Sequence, residues 1–198
     1  MKKTVIVSLG IVLLIIVGIF VYHFGFDRDL KEYEFLKQPQ IRSMKSQKLI
    51  TVRLTGDPNL KAGNAFKLLY GTFYQLKNSH SAMEAPRVRW PKAQDISKKD
   101  WVGVYGLPVS DNVTELPKHR DKTPVKLASW EYGLVAEILH IGSYSDETPT
   151  IERLKKFIAD HGYEIVGDHE EEYLRGPGFI PVNSKRYYTI IRYRIRKK

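Results

Sequence analysis

The order of elements predicted from residue 47 onward occurs twice, and this repetition constrains the fold more than any other feature. The first half predicts a strand, a helix with apolar residues at helical spacing, and two further strands, and the second half repeats that order. Gly56 and Gly142 lie at equivalent turns after the first strand of each half. Because neither half can bury its sheet alone, we expect the halves to pack pseudo-symmetrically. The sequence therefore predicts an α+β domain built from a duplicated β-α-β-β unit.

Hydrophobic periodicity gives approximate bounds for these elements. The predicted strands and helices, in chain order, are a strand at 49–54, a helix at 59–76, strands at 87–90, 102–105 and 134–141, a helix after the turn at 142–144, and strands at 163–174 and 187–195. A polar segment with two prolines, 110–124, joins the halves. We therefore place the domain at 46–198, with repeats at about 46–110 and 125–198.

The second repeat carries the most specific pattern in the chain. Thr148 suits a helix N-cap, Pro149 suits the first helical position, and Gly162 suits a left-handed C-cap. In the strand that follows, Glu171 and Tyr173 are two residues apart and therefore point to the same face. A carboxylate beside a phenol can bind a cation or take part in acid–base chemistry. The alternative is a solvated edge strand with three glutamates.

This pattern resembles the GyrI-like domain family, which is also met as the effector-binding domain of multidrug-sensing transcription regulators. The family pairs an H-x-G-x-Y turn with a later G-x(n)-E-x-Y-L-x-x-P segment. The matching positions, all within residues 125–198, are His140, Gly142, Tyr144, Gly167, Glu171, Tyr173, Leu174 and Pro177. The resemblance implies two antiparallel-sheet halves with a ligand cleft between them. It also implies that Glu171 matches the family's glutamate for cationic drugs, and that in some members the same region hydrolyses cyclopropane-containing compounds.

Aromatic residues are frequent near the predicted repeat interface. The chain has 12 Tyr, 8 Phe and 3 Trp, and many of them fall on predicted strands or turns. Aromatic walls around one carboxylate suit flat, lipophilic cations, because rings offer stacking and cation–π attraction while the carboxylate offers counter-charge. The alternative is that these rings belong to the core. The predicted ligand-binding residues are Glu171, Tyr173, Tyr144, Trp90, Tyr105 and Trp130.

The apolar run at 5–24 contains no Asp, Glu, Lys or Arg. A helix of this length spans about 30 Å, which matches the hydrocarbon core of a bilayer. A cleaved signal peptide is the alternative, but it would have a shorter apolar core and a small-residue cleavage site. We predict a flank at 1–4, a transmembrane helix at 5–24 and a juxtamembrane stalk at 25–45. Lys2 and Lys3 before the helix favour a single-pass cell-membrane protein whose C-terminal domain lies outside the cytoplasm, the orientation we predict, whereas the basic residues that follow the helix favour the opposite orientation: Arg28, Lys31, Lys37 and Arg42.

Several chemistries lack support in the sequence. Cysteine is absent, which excludes disulfides, thiol nucleophiles and Cys-ligated zinc. The six histidines show no metal-binding spacing, and no phosphate or dinucleotide loop is present, so we predict no metal and no cofactor. The final strand places Arg192, Arg194 and Arg196 on one face, which we interpret as solvated. No recognition helix accompanies them, so no nucleic-acid partner is expected despite a net charge of +10.

These features predict a membrane-anchored domain that binds lipophilic cationic or aromatic small molecules. One alternative is an adaptor that binds another protein, because a eukaryotic reticulum-membrane adaptor of the same superfamily also places an anchor before such a domain. A second alternative is a hydrolase of reactive lipophilic compounds that uses Glu171 and Tyr173. We favour binding over catalysis. An open cleft around Glu171 would support the small-molecule hypotheses, and a filled one would support the adaptor.

Overall fold

The structure is a computed structural model that describes residues 30–76, 83–92, 96–117, 123–177 and 183–198. The chain divides into two compact units, residues 1–35 and 36–198. Residues 30–35 are the described part of the first unit, and they belong to the 3-10 helix Leu30–Lys37, which crosses the boundary between the units. The strands and α-helices of the described residues all lie in the second unit.

The second unit contains, in its described part, nine strands and two α-helices. The strands are β1 (Gln40–Met44), β2 (Gln47–Thr55), β3 (Arg87–Lys92), β4 (Val102–Pro108), β5 (Lys126–Trp130), β6 (Gly133–Ile141), β7 (Tyr163–Ile165), β8 (His169–Arg175) and β9 (Tyr188–Lys197), and the helices are α1 (Pro58–Phe73) and α2 (Thr148–Asp160). Eight strands follow the order β1-β6-β9-β8-β3-β4-β2-β5, and β7 pairs with β9. All these pairings are antiparallel.

The predicted duplication is confirmed, because β2-α1-β3-β4 recurs as β6-α2-β8-β9 with β7 added. The halves do not form two separate sheets, however. Strand β3 pairs with β8, with Val88 opposite Glu171, so the halves share one curled antiparallel sheet. Pairing the two inner strands satisfies backbone groups that would otherwise form exposed sheet edges. Strand β8 is therefore central rather than an edge strand.

Two edge strands, β1 and β5, were not predicted from the sequence. Strand β1, which precedes the first repeat, pairs with β6 of the second repeat. Strand β5, which precedes β6, pairs with β2 of the first repeat. Strand β1 lies inside the range predicted as a stalk, 25–45, and its Ile41 packs against the core of the second half. The predicted domain start at residue 46 is therefore wrong by at least one strand. A five-residue strand directly after Pro39 is too short to show a clear periodicity.

The predicted membrane span at 5–24 and its flank at 1–4 lie outside the described residues. In the part of the chain that the structure describes, no helix has the length and apolar character needed to cross a bilayer.

Both helices cover the same face of the sheet, which we call the helix face. Helix α1 packs on Ile50, Val52 and Tyr105, and α2 packs on Ile138 and Ile191. Strand register connects these two cores. The opposite face carries the arginines of β3 and β9, and we call it the arginine face. Side-chain alternation along each strand divides neighbouring residues between these two environments.

Candidate functional site

The centre of the helix face holds a buried carboxylate on β8. Glu171 is 9% exposed, and its neighbours on the same strand face are His169 and Tyr173. Glu171 Oε1 lies 2.8 Å from His169 Nε2, and the Tyr173 hydroxyl donates to Glu171 Oε2 over 2.5 Å. His169 Nδ1 in turn lies 2.8 Å from the hydroxyl of Tyr193 on β9. The strand alternation predicted for Glu171 and Tyr173 is thus confirmed and extends to His169.

A second carboxyl group reaches the same place from the start of α2. Thr148 was predicted as the N-cap, but the helix begins at Thr148 and Glu147 takes the cap position without a side-chain capping bond. Glu147 is 6% exposed, and its Oε1 has no hydrogen-bond partner among the described residues. Burial and the nearby Glu171 carboxylate raise the pKa of Glu147 to about 9. Glu147 is therefore protonated at neutral pH as the site stands.

Aromatic rings surround this pair. The Tyr144 ring lies 5.5 Å from the Tyr173 ring and 5.2 Å from the Tyr187 ring, measured between centroids. Phe66 of α1 lies edge-on to Tyr173 at 6.0 Å and to Tyr105 at 5.5 Å. Tyr144 is the outermost of these rings at 38% exposure, whereas Tyr105 is 2% exposed. The carboxyl pair is thus enclosed by a cage of phenols.

The phenols of the cage keep their protons. Burial raises the pKa of Tyr105 to about 12, and the Glu171 carboxylate adds to that rise. Burial and Glu171 also raise the pKa values of Tyr144 and Tyr173 well above the usual value for a phenol. These hydroxyls are therefore hydrogen-bond donors across the physiological pH range.

The structure brings together five of the six residues predicted to bind a ligand and separates the sixth. Trp90 contacts Tyr105 on the helix face, with centroids 5.9 Å apart. Trp130 lies on the arginine face, where the Arg89 guanidinium carbon sits 4.1 Å from the ring centroid. The reason is register: Trp130 pairs with Gln47 on β2, and that position points away from the helices. Trp130 is therefore not part of this cage.

Four members of the site were not predicted from the sequence: Phe66, Glu147, His169 and Tyr187. His169 is two residues before Glu171 on a strand, so the same alternation would have found it. Phe66 and Glu147 come from α1 and from the turn before α2, and no local signal places either of them beside β8. Chain topology alone brings these elements together.

On the arginine face, buried arginines and glutamates form ion pairs with one another. Arg192 is 1% exposed and donates to Glu170 Oε1 at 2.7 Å and to Glu172 Oε2 at 3.0 Å. It also donates to Glu137 Oε2 at 2.8 Å, and Arg89 donates to Glu170 Oε2 at 2.7 Å. Burial alone would raise the pKa of Glu170, but Arg192 and Arg89 outweigh it and hold that pKa below its usual range.

The prediction that the arginine row of β9 is solvated is therefore wrong for Arg192. It fails because β9 is flanked by both β6 and β8 and its side chains lie over a central part of the sheet. Arg196, near the end of the strand, fits the prediction: it is exposed and pairs with Glu164 of β7.

Glu147, His169 and Glu171 are also the one group of potential metal ligands found among the described residues. Each offers a ligand atom, and these atoms lie within 4.8 Å of one another. Sequence spacing predicted no metal site, since these ligands come from a turn and a strand separated by α2.

Comparison with solved structures identifies the fold. An uncharacterized conserved protein from Listeria innocua superimposes with a TM-score of 0.71 at 21% identity, covering 86% of this chain and 98% of that chain. A hydrolase from Listeria innocua gives 0.69 at 20% identity with the same coverage. The EcmrR C-terminal domain gives 0.55 at 14% identity, covering 81% of this chain and 98% of that domain. No family model and no curated protein sequence matches the chain. The chain thus has a GyrI-like fold.

Proposed function

We propose that this domain binds lipophilic cations, or flat aromatic ligands with a positive charge, in the phenol cage, with Glu171 as the counter-charge. One observation carries the proposal: Glu171 is buried, and its hydrogen-bond partners are a histidine and a phenol rather than an arginine. A buried carboxylate is costly without a compensating positive charge. A bound cation supplies that charge.

The surrounding rings suit the same ligand class. Tyrosine faces attract cations through their quadrupoles, and the attraction is stronger in a site that excludes water. Several such rings pack together beside Glu171, where strands of the two repeats meet. Ligand charge and ligand aromaticity would both contribute to affinity.

The protein's own rings pack around Glu171, an arrangement that favours the adaptor by the criterion given above unless Tyr144 moves to admit a ligand. Tyr144 is half-exposed on the 3-10 turn Tyr144–Asp146. A Cβ atom at Gly176 would lie 2.4 Å from the Tyr144 hydroxyl oxygen, so a larger residue at that position would force the Tyr144 side chain to shift. Movement of the Tyr144 side chain would therefore control whether a ligand can reach Glu171. A cage that never opens would favour the adaptor hypothesis instead.

Dye titration tests the proposal. A rhodamine is titrated into the wild-type protein and Glu171→Gln, which keeps the side-chain shape and removes the charge. We expect a tenfold to hundredfold loss of affinity, corresponding to about 1–3 kcal/mol for a charged contact. Glu152→Gln is the matched control, because Glu152 lies on α2 with an exposed side chain. Glu170 and Glu172 do not serve as controls, because each is held in buried ion pairs.

Two outcomes would contradict the proposal. Equal affinities in the wild type and Glu171→Gln would remove Glu171 from the site. A wild-type protein that binds no lipophilic cation would make a protein-binding adaptor the better hypothesis.

A hydrolase is the second candidate, and one observation favours it. Glu147 holds a proton beside Glu171, and a protonated carboxyl group next to a second carboxyl group is an arrangement used for general acid and base. A strained, electrophilic lipophile would be the substrate. Product analysis tests this candidate: turnover that is present in the wild type and lost in Glu171→Gln supports catalysis, and binding without turnover contradicts it.

We further propose that residues 5–24 hold the domain at a membrane, with the domain outside the cytoplasm. The support is the uncharged apolar run of about 20 residues, the length that spans a bilayer. Protease added to intact cells or spheroplasts is expected to digest the domain. Digestion only after lysis would place the domain in the cytoplasm.

A further inference from the structure

We propose that Glu147, His169 and Glu171 form a binding site for one divalent transition-metal ion, with Zn²⁺ as the defining probe. The site shares Glu171 with the proposed ligand cage but does not depend on ligand binding. Two carboxylates and one imidazole are a donor set that zinc accepts, and three protein ligands leave a fourth position free.

The first argument is the unpartnered carboxyl oxygen. Glu147 is 6% exposed, its Oε1 lacks a hydrogen-bond partner in the described part of the chain, and a second carboxylate lies beside it. Buried polar atoms normally have partners, so this oxygen is available to bind a cation. A divalent cation that displaces the proton of Glu147 into solvent balances the charges of both Glu147 and Glu171.

Hydrogen bonds of the kind that orient metal ligands are already present at His169 and Glu171. His169 Nδ1 lies 2.8 Å from the Tyr193 hydroxyl, and the Tyr173 hydroxyl donates to Glu171 Oε2. Metal binding at Nε2 would replace its hydrogen bond to Glu171 and requires the tautomer in which Nδ1 donates to the Tyr193 hydroxyl, which a hydroxyl can accept. Such second-layer hydrogen bonds orient ligands in known metal sites.

The distances between the three ligand atoms are close to those of a zinc site. Zinc bonds of about 2.1 Å place neighbouring tetrahedral ligands about 3.4 Å apart. The three ligand atoms already lie within 4.8 Å of one another, and His169 Nε2 is 2.8 Å from Glu171 Oε1. Closing the site therefore requires the ligand atoms to move by about an ångström, which rotation about the side-chain bonds of Glu147 allows.

The test is calorimetric titration of ZnCl₂ into the untagged full-length chain in detergent, after treatment with chelator. We expect one saturable site per chain. Glu147→Gln should weaken zinc binding at least tenfold while remaining folded, because glutamine has the shape of a neutral carboxyl group. Tyr193→Phe, a positioning variant, should weaken binding about tenfold. Glu152→Gln, the exposed control, should bind zinc as the wild type does.

Three outcomes would overturn the inference. One is the absence of saturable one-to-one binding by the folded wild type. Another is unchanged zinc affinity in Glu147→Gln, which would place the metal elsewhere, for example at a surface histidine. The third applies if Glu171→Gln weakens rhodamine binding in excess chelator: rhodamine affinity that is then unchanged at saturating zinc would overturn the metal site, because two cations cannot share Glu171. Rhodamine binding in excess chelator is measured separately, so failure of the metal site and failure of the ligand cage are distinguished.

Discussion

Glu170 and Glu171 are adjacent on β8, yet the two carboxylates have opposite surroundings. Glu170 faces the arginines and makes ion pairs with Arg89 and Arg192 at 2.7 Å each. Glu171 faces the helices and has a histidine and a phenol as hydrogen-bond partners, with Glu147 beside it. One residue of strand alternation thus separates a carboxylate that is paired with arginines from one that has a histidine and a phenol as partners.

This difference indicates different roles for the two faces. The ion pairs of Arg89 and Arg192 with the glutamates of β8 contribute to holding β3, β8 and β9 together, and they balance the charges of Glu170 and Glu172. A buried carboxylate without such a pair costs folding free energy, and sites of this kind concentrate where proteins bind or react. We infer that the arginine face supports the sheet and the helix face carries the function.

The largest effect is expected from removing the centre of the arginine face. Arg192→Met leaves three buried glutamates without their shared guanidinium group and should cost about 4 kcal/mol of unfolding free energy. Urea denaturation measures this cost. The control is Arg196→Met, which removes an exposed pair and should cost less than about 0.5 kcal/mol. Equal losses would mean that the buried network is not structural.

The adjacent glutamates should differ in the same assay. Glu170→Gln breaks buried pairs and should destabilise the protein by about 2–3 kcal/mol. Glu171→Gln should change the unfolding free energy by less than about 1 kcal/mol, because no arginine is left unpaired. If Glu171→Gln proved the more destabilising of the two, Glu171 would be a structural residue rather than a ligand site.

Truncation tests the edge of the arginine face. Strand β1 supplies Arg42, which pairs with the fully buried Glu137. A fragment of residues 36–198 should unfold cooperatively, whereas a fragment of residues 46–198 should lose about 2 kcal/mol through the missing strand and its apolar contacts. Thermal melting followed by circular dichroism compares them. Identical melting curves would show that β1 is dispensable.

Low pH should reduce the contribution that the ion pairs of the arginine face make to the unfolding free energy. The folded-state pKa of Glu170 is lowered, so its contribution to stability is present above the ordinary value of 4.5 and is lost as the pH falls through the folded-state pKa. The unfolding free energy should therefore decline below about pH 4.5, by about 1.4 kcal/mol per pH unit for each proton that the unfolded state binds in excess. Glu170→Gln should show a shallower decline, and the same slope in both proteins would contradict the assignment.

The smallest effects concern rings on the two faces. Trp130→Phe should leave rhodamine affinity within about twofold of the wild type, because Trp130 stacks on Arg89 away from the cage. Tyr173→Phe removes a hydrogen bond to Glu171 and should weaken binding about fivefold, or about 1 kcal/mol. Fluorescence anisotropy resolves both changes. A larger loss in Trp130→Phe would move the ligand site to the arginine face.

Local patterns in the sequence determined much of this architecture. Apolar spacing placed both helices, and the positive φ of 76° at Gly162 confirms the predicted left-handed helix end. The spacing of Glu171 and Tyr173 placed them on one face, because side chains alternate along any strand whatever its neighbours are. The order of elements likewise predicted the duplication, and the GyrI-like fold is confirmed by the structural comparisons.

Only the tertiary structure decided which strands became neighbours, and with them the identity of the site. The pairing of β3 with β8 buried three consecutive glutamates and delivered arginines to two of them. The turn before α2 brought Glu147 to Glu171, and the register of β5 took Trp130 away from the cage. Contacts of this kind join residues far apart in the chain, and the burial that shifts their pKa values exists only once the sheet and helices have packed.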